Sequence, residues 1–69
     1  MIEPNTPIEI VASEALTEMR LDALADRSGL VTEELTGAER RNRGYMVFLH
    51  EAYQNEHVWF IPEASVRHA

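Results

Sequence analysis

The sequence predicts an α+β fold, in which a small single domain has two to three short N-terminal helices followed by a β-hairpin. Two observations support this class. Apolar residues recur at helical spacing early in the chain, whereas residues 45–62 contain two runs rich in aromatic and β-branched residues. Residues 45–62 also hold every Phe, Trp and Tyr of the protein. The core is therefore expected to form against this segment.

The 69 residues are expected to form one domain, with a lead-in at 1–5, a helical part at 7–43, a hairpin at 45–62 and a tail at 63–69. A chain of this length buries only about 60% of the surface that its unfolded form exposes. It has no cysteine, so no disulfide supports the fold. Stability is expected to come from packing, with help from oligomerisation or a partner.

The first helix is expected to begin at Thr6, which is followed by Pro7 at the first helical position and by Glu9 as the capping-box carboxylate. Its apolar face would consist of Ile8, Val11, Ala12, Ala15, Leu16 and Met19. A straight continuation beyond Arg20 would bury carboxylates without partners. The helix is therefore expected to bend or end near Arg20.

Two further helices are expected before the hairpin. The second would run from about residue 22 to residue 28 and end at Gly29, since glycine commonly follows a helix C-terminus. The third would begin at Thr32 or, in a second interpretation, restart at Thr36. Arginines near its C-terminal end suit the helix dipole, and Gly44 would close it.

The hairpin is expected to pair residues 45–49 with residues 58–61 around a turn at Gln54 and Asn55. With the turn centred there, one face would carry Tyr45, Val47, Leu49, Val58 and Phe60, and the other Met46, Phe48, His50, His57, Trp59 and Ile61. A helix through residues 48–53 is the alternative, because the apolar spacing there also permits it.

The positions of Leu24-Ala25, Ser28-Gly29-Leu30 and Leu35 resemble those of a helix-turn-helix. The hairpin downstream is similar to the wing of a winged-helix domain, so a winged-helix-like arrangement is possible. The resemblance implies an excisionase-like DNA-binding regulator that contacts DNA through Arg40, Arg41, Arg43 and Arg67. One departure is that Glu33 and Glu34 would face phosphates at the start of the recognition helix. The alternative is a helix pair that only packs the core.

The charge of the chain is unevenly distributed. Its formal net charge is −6, and the whole excess lies in residues 1–36. Four of these acids recur every four residues: Glu14, Glu18, Asp22 and Asp26. A negative surface repels nucleic acid and attracts basic partners. These four residues are therefore predicted to dock on a basic partner groove and to imitate nucleic-acid phosphate.

No motif predicts catalysis or a bound metal or cofactor. The sequence contains no Gly-rich phosphate loop and no convincing pair of nucleophile and base. His50, His57 and His68 match no zinc-binding spacing, and the segment from His50 to Gln54 lacks the second histidine of the zinc-protease motif. The protein is expected to be non-enzymatic, without cofactor or metal.

The favoured functional hypothesis is a protein-interaction module, an inhibitor or adaptor that occludes a basic or nucleic-acid-handling partner. A hairpin apolar on both faces would leave one face exposed, and Phe48, Trp59 and Ile61 are predicted to contact the partner there. In size and charge the chain is similar to small acidic phage-encoded inhibitors such as anti-CRISPR proteins, so a phage or bacterial source is expected. A homodimer fits both this hypothesis and DNA binding.

A cytoplasmic location is expected. No apolar run approaches the roughly 20 residues of a membrane span. The first nineteen residues contain no Lys or Arg, unlike a secretory signal with a basic start.

Overall fold

The computed structural model describes residues 2–69, which form a five-stranded antiparallel sheet with one short helix. The elements are β1 (Pro7–Ile10), α1 (Glu14–Glu18), β2 (Ser28–Leu35), β3 (Gly44–Tyr53), β4 (Glu56–Pro62) and β5 (Val66–His68), with 3-10 turns at Asp22–Leu24 and Glu63–Ser65. The strand order is β4-β3-β2-β1-β5. The predicted α+β class with two to three N-terminal helices is therefore wrong, and the fold is mostly β.

The sheet is curled rather than flat. β4 and β5 lie at opposite edges, yet only the turn Glu63–Ser65 connects them. The step from Pro62 to Val66 spans at most about 14 Å of extended chain. The edges of a flat five-stranded sheet would lie about 19 Å apart. The two edges must therefore approach each other at this end, and the concave face encloses the core.

β1 replaces the first predicted helix. Ile8 and Ile10 are fully buried while Glu9 between them is half-buried, so burial alternates with the period of a strand. Pro7 is the first residue of this strand, a position that tolerates its missing N–H. β2 pairs on one side of β1 and β5 on the other. Hydrogen bonds in these two ladders satisfy the backbone groups for which the capping box was predicted.

α1 is much shorter than the predicted helix but ends where the phase of the pattern breaks. Ser13 caps it by accepting from the Leu16 N–H at 3.1 Å. At the other end Arg20 has a left-handed φ of 60°. Arg20 N–H donates to the Thr17 carbonyl at 2.9 Å, and Leu21 N–H donates to the Leu16 carbonyl at 3.0 Å. This hydrogen-bond pair is a Schellman motif, which terminates the helix.

The second and third predicted helices do not form. The second is reduced to the 3-10 turn Asp22–Leu24, and Gly29 lies inside β2 instead of ending a helix. Thr32 is a strand residue, and residues 36–43 form the loop between β2 and β3. The described residues therefore contain no helix-turn-helix, and the winged-helix-like arrangement is wrong. The reason is tertiary, since β2 pairs with strands on both sides.

β3 and β4 form the hairpin, and Gln54 and Asn55 make its turn with φ of 51° and 66°. Two successive positive φ values are typical of a type I′ turn. The alternative helix at 48–53 is absent, since β3 continues to Tyr53. The register of β3 and β4 differs from the one predicted from the position of the turn, because the pairing shifts between Phe48 and Tyr53.

This shift decides which side chains share a face. Tyr45 is opposite Ile61 and Val47 is opposite Trp59 on the inner face. The outer face carries the opposed pairs Met46–Phe60 and Phe48–Val58. The predicted faces of β3 were correct, but those of β4 were exchanged, because an odd number of extra residues reverses every side chain beyond it.

The core gathers residues from the lead-in, the first four strands, the helix and the first 3-10 turn. Its buried members are Ile2, Ile8, Ile10, Leu16, Leu24, Val31, Tyr45, Val47, Leu49 and Ile61. The lead-in takes part, because Ile2 N–H donates to the buried Tyr45 hydroxyl at 3.1 Å. The helix and the first 3-10 turn contribute one fully buried leucine each, Leu16 and Leu24.

The register of β4 is testable by two substitutions in that strand. Ile61→Ala removes a fully buried side chain, and we expect it to lower the free energy of unfolding by about 2–5 kcal/mol. Val58→Thr keeps the β-branched shape at a position that is 46% exposed, and we expect a loss below about 1 kcal/mol. Urea denaturation of both variants measures the difference. Equal losses would contradict the register.

Candidate functional site

The outer face of the hairpin carries an apolar strip, defined here as Leu30, Met46, Phe48, Val58 and Phe60. Cross-strand pairing places Leu30 and Val58 on either side of Phe48, and Met46 beside Phe60. Phe48 and Val58 remain 42% and 46% exposed. Within residues 2–69 this part of the strip is therefore exposed to solvent.

A groove continues the strip beyond Phe60. Its apolar lining includes Met19, Phe60 and Pro62, and residues of α1 and of the loop at 36–43 border it. Met19 is 41% exposed. Because Phe60 belongs to both the strip and the groove, the two form one continuous apolar surface. This surface contains Met19, Phe48 and Val58, the most exposed large hydrophobic residues among those described.

Charged residues of both signs line the groove. Arg41 and Arg43 come from the loop, Glu18 from α1 and Glu63 from the β4–β5 turn. These four side chains are exposed. The site thus combines apolar residues with exposed arginines and carboxylates.

Hydrogen bonds to Ser65 connect α1 to the β4–β5 turn. The Ser13 and Ser65 hydroxyls lie 2.5 Å apart, and Ser65 is fully buried. Val11 N–H also donates to the Ser65 carbonyl at 2.7 Å. The elements that carry Glu18 and Glu63 are therefore joined.

The loop between β2 and β3 is attached to the same turn. Glu63 N–H donates to the Arg43 carbonyl at 3.0 Å. The guanidinium of Arg43 donates to the Ala38 carbonyl at 3.1 Å, and that of Arg40 to the Asn42 carbonyl at 3.2 Å. The ion pair found among residues 2–69 joins Arg67 and Glu9 and includes no loop arginine. Arg40 and Arg43 are therefore held by backbone carbonyls and keep their positive charge without an ion pair in this part of the chain.

The structure separates the arginines of the predicted DNA contact. Arg40, Arg41 and Arg43 share the loop between β2 and β3 and lie at no helix end. Arg67 lies on β5, where its guanidinium is occupied by Glu9. The four residues thus do not share one structural element.

The four acids that were predicted to form a negative surface lie on different elements. Glu14 and Glu18 lie on α1, Asp22 on the following 3-10 turn, and Asp26 has a left-handed φ of 71°. All four are exposed and belong to the single connection between β1 and β2. They form an acidic connection rather than one helical face, and only Glu18 lines the groove.

The predicted hairpin contacts divide between surface and core. Phe48 is exposed, with its ring stacked on His57 at 4.7 Å between centroids. Ile61 is fully buried, and Trp59 packs against the core beside Tyr53. Neither therefore belongs to the strip. The exposed apolar surface instead contains Val58, Phe60 and Met19. Only the register of β4 and the position of α1 show that these residues belong to it.

A second depression lies at the other end of β2 and is lined by Asp26, Arg27, Ser28, His50 and Glu51. Ser28 Oγ and His50 Nδ1 lie 3.3 Å apart. The two residues are exposed cross-strand neighbours next to the Gly29–Leu49 pair. No hydrogen bond orients the other ring nitrogen of His50 in the described part of the chain. The contact is that of a sheet surface, without the geometry of an activated nucleophile.

Residues 2–69 contain no cluster of three or more side chains suited to hold a metal ion. None of their helices has the length and apolar character needed to cross a membrane. No family model, curated protein or solved structure matches the chain.

The Ser13–Ser65 contact is expected to stabilise the attachment of α1 to the β4–β5 turn. Ser13→Ala removes the cap of α1 and leaves a buried hydroxyl unpaired, so we expect a loss of about 1–2 kcal/mol in unfolding free energy. Ser65→Ala should lower the unfolding free energy less in the Ser13→Ala protein than in the wild-type protein, because the Ser13 hydroxyl is already absent. A thermal or urea double-mutant cycle measures this coupling. Strictly additive losses would show that the two hydroxyls do not interact.

Proposed function

We propose that the protein is a small non-enzymatic interaction module, an inhibitor or adaptor, that binds a partner protein through the apolar strip and the adjoining groove. The observation that carries this proposal is the placement of Met19, Phe48 and Val58 on one continuous surface. Exposed apolar residues on soluble proteins are usually scattered, and contiguous patches mark interaction sites.

The composition of this surface supports a protein partner. Phe60 and Met46 lie within it, and arginines border it. Aromatic residues, Met and Arg are enriched at protein interfaces. Burying Phe48 and Val58 fully would contribute about 1.5–3 kcal/mol each before the entropic cost of association. A few such side chains account for most of the binding energy of a typical interface.

The charge distribution supports a partner with a basic surface. Glu14, Asp22 and Asp26 are exposed in the acidic connection, and none forms an ion pair within residues 2–69. A net charge of −6 on a small domain speeds encounter with a positive surface. Occlusion of a basic or nucleic-acid-handling partner is the mode of action that fits both the charge and the strip.

The strip is tested by Phe48→Ser. A displayed library of random peptides, selected on the wild-type protein, should yield apolar peptides whose binding shifts the amide resonances of Met46, Phe48 and Val58. We expect Phe48→Ser to weaken this binding about tenfold or more, since it removes a central aromatic contact. Glu51→Gln, an exposed change on the same strand, is the control and should bind normally.

Two results would contradict the proposal. One is a selection without enrichment over background, and the other is binding that shifts residues elsewhere. Light scattering over a range of protein concentrations distinguishes a homodimer from a complex with a different protein. A dimer that Phe48→Ser disperses would assign the strip to a second copy of the chain rather than to a different protein.

DNA binding through the loop arginines is tested separately. A fluorescent duplex titrated with micromolar protein at low and moderate salt should show no salt-sensitive binding, because the acidic connection repels phosphate. The double variant Glu14→Gln, Glu18→Gln is the matched control. It repels phosphate less, so it should show at most weak DNA binding. Tight salt-sensitive binding of the wild-type protein, abolished by Arg41→Glu, would replace the interaction module with a DNA-binding function.

A further inference from the structure

β4 is an edge strand whose middle lacks the features that usually prevent pairing with another strand. The other edge strand, β5, has three residues and carries Arg67 in an ion pair. β4 has seven residues, with its charged residue at one end, Glu56, and its proline at the other, Pro62. Charged side chains, proline and bulges are the usual means of blocking an edge. The segment from Val58 to Phe60 contains none of them.

The hydrogen bonds of the hairpin show which backbone groups of β4 point away from β3. Opposed residues of an antiparallel pair alternate between pairs that exchange both hydrogen bonds and pairs that exchange none. Glu63 N–H donates to the Arg43 carbonyl at 3.0 Å. The next residue, Pro62, therefore exchanges no bond with its opposite residue. By the same alternation Phe60 and Val58 exchange none with β3, so their N–H and C=O groups point outward.

Two other contacts agree with this alternation. The Met46 carbonyl, opposite Phe60, accepts from the Thr32 hydroxyl of β2 at 3.2 Å, so it points away from β4. The Ile61 carbonyl points toward β3, because a Cβ at Gly44 would collide with it. The backbone directions along β4 are therefore fixed by contacts on both sides of β3.

The free hydrogen-bonding groups of β4 are thus the N–H and C=O of Val58 and of Phe60. Outside the ladder with β3, no hydrogen bond found among residues 2–69 uses them. At the ends of the strand, Pro62 has no N–H, and the Glu56 carbonyl accepts from Trp59 Nε1 at 3.0 Å. The free edge is therefore short and centred on Trp59.

We infer that two copies of the chain pair through β4, antiparallel and with Trp59 opposite Trp59 of the second copy. This register places Val58 opposite Phe60 of the second copy, in a pair of the kind that exchanges both hydrogen bonds. The two-fold axis of such a dimer repeats the same pair on the other side of Trp59. Each free N–H then donates to a free carbonyl, and every free group of both copies has a partner.

The side chains that this register brings together suit a second copy. Val58 and Phe60 both lie on the outer face of the hairpin. Their pairing across the dimer therefore joins an aromatic and a β-branched residue, a combination that stabilises antiparallel strands. Glu56 falls opposite Pro62 of the second copy, so no carboxylate of β4 is placed against another.

The local charge also suits a second copy. Residues 37–69 contain four arginines and four glutamates, so their formal net charge is zero. The acidic excess lies in residues 1–36, which include neither β3 nor β4. Repulsion between the two chains therefore does not arise at the paired strands. At about 0.15 M salt, repulsion between more distant charges is screened beyond about 8 Å.

Pairing through β4 extends the apolar strip without covering it. The outer faces of the two hairpins lie on the same side of the joined sheet, since Val58 of each copy is beside Phe60 of the other. The strips of the two copies then form one continuous surface. The inference goes beyond the proposed function, because a single copy of the strip suffices for partner binding.

The first test is the oligomeric state of two variants at one position. Sedimentation of the wild-type protein from about 10 μM to 1 mM should show a monomer that becomes a dimer. Val58→Pro removes an N–H that faces solvent in the monomer, a change that edge strands tolerate. It should weaken dimerisation at least about tenfold. Val58→Thr, the matched control, keeps the N–H and the β-branched shape and should dimerise within about threefold of wild type.

The second test needs no variant. Amide hydrogen exchange is measured by NMR on dilute and concentrated wild-type protein. The amides of Val58 and Phe60 should exchange several-fold more slowly in the concentrated sample, because the dimer supplies their acceptors. The amide of Ile61, which points toward β3, should exchange at the same rate in both samples. This pattern decides the inference even if Val58→Pro does not fold.

Four results would overturn the inference. They are a monomer at every concentration, a Val58→Pro protein that dimerises like wild type, a dimer in which the exchange of Val58 and Phe60 is unchanged, and a dimer whose protected amides lie in β5. A monomer would leave the proposed function intact, since peptide selection on the strip does not depend on dimerisation. Conversely, a failed peptide selection beside a dimer with protected β4 amides would reject the proposed function alone.

Discussion

The short connection from Pro62 to Val66 is the constraint on which the rest of the structure depends. Three residues join the two edge strands, so the sheet has to curl around the core. The same turn buries Ser65, which holds the start of α1, and it presents Glu63 to the backbone of Arg43. Closure of the sheet and the attachment of α1 and of the β2–β3 loop are thus consequences of one turn.

The curled sheet also explains why an apolar surface remains exposed. A chain of 69 residues has material for one enclosed core, and the concave face takes the inner residues of the hairpin. The outer residues Phe48, Val58 and Phe60 have no second layer to pack against, since the helix contributes only five residues. Contiguous exposed apolar faces usually mark interaction sites, and for this reason the proposed function places the partner there.

Charged residues of both signs border this surface. Overall the chain is acidic, yet arginines of the β2–β3 loop line the groove beside Met19 and Phe60. In the proposed function the acidic connection attracts a basic partner at long range, whereas the strip and the groove make the short-range contacts. The proposal of an interaction module joins features that lie far apart in sequence, since Met19, Arg41 and Phe60 come from three separate segments.

The sequence by itself determined the local features of this protein: the hairpin around Gln54 and Asn55, the break at Arg20 and the uneven charge. These depend on turn geometry and on composition, which are properties of neighbouring residues. Only the tertiary structure decided that residues 7–10 and 28–35 are strands, because their short apolar patterns fit both periods and cross-strand pairing selected one. It also decided the register of β4, and with it the strip, since extra residues in β3 leave no signal in the sequence but reverse every side chain beyond them.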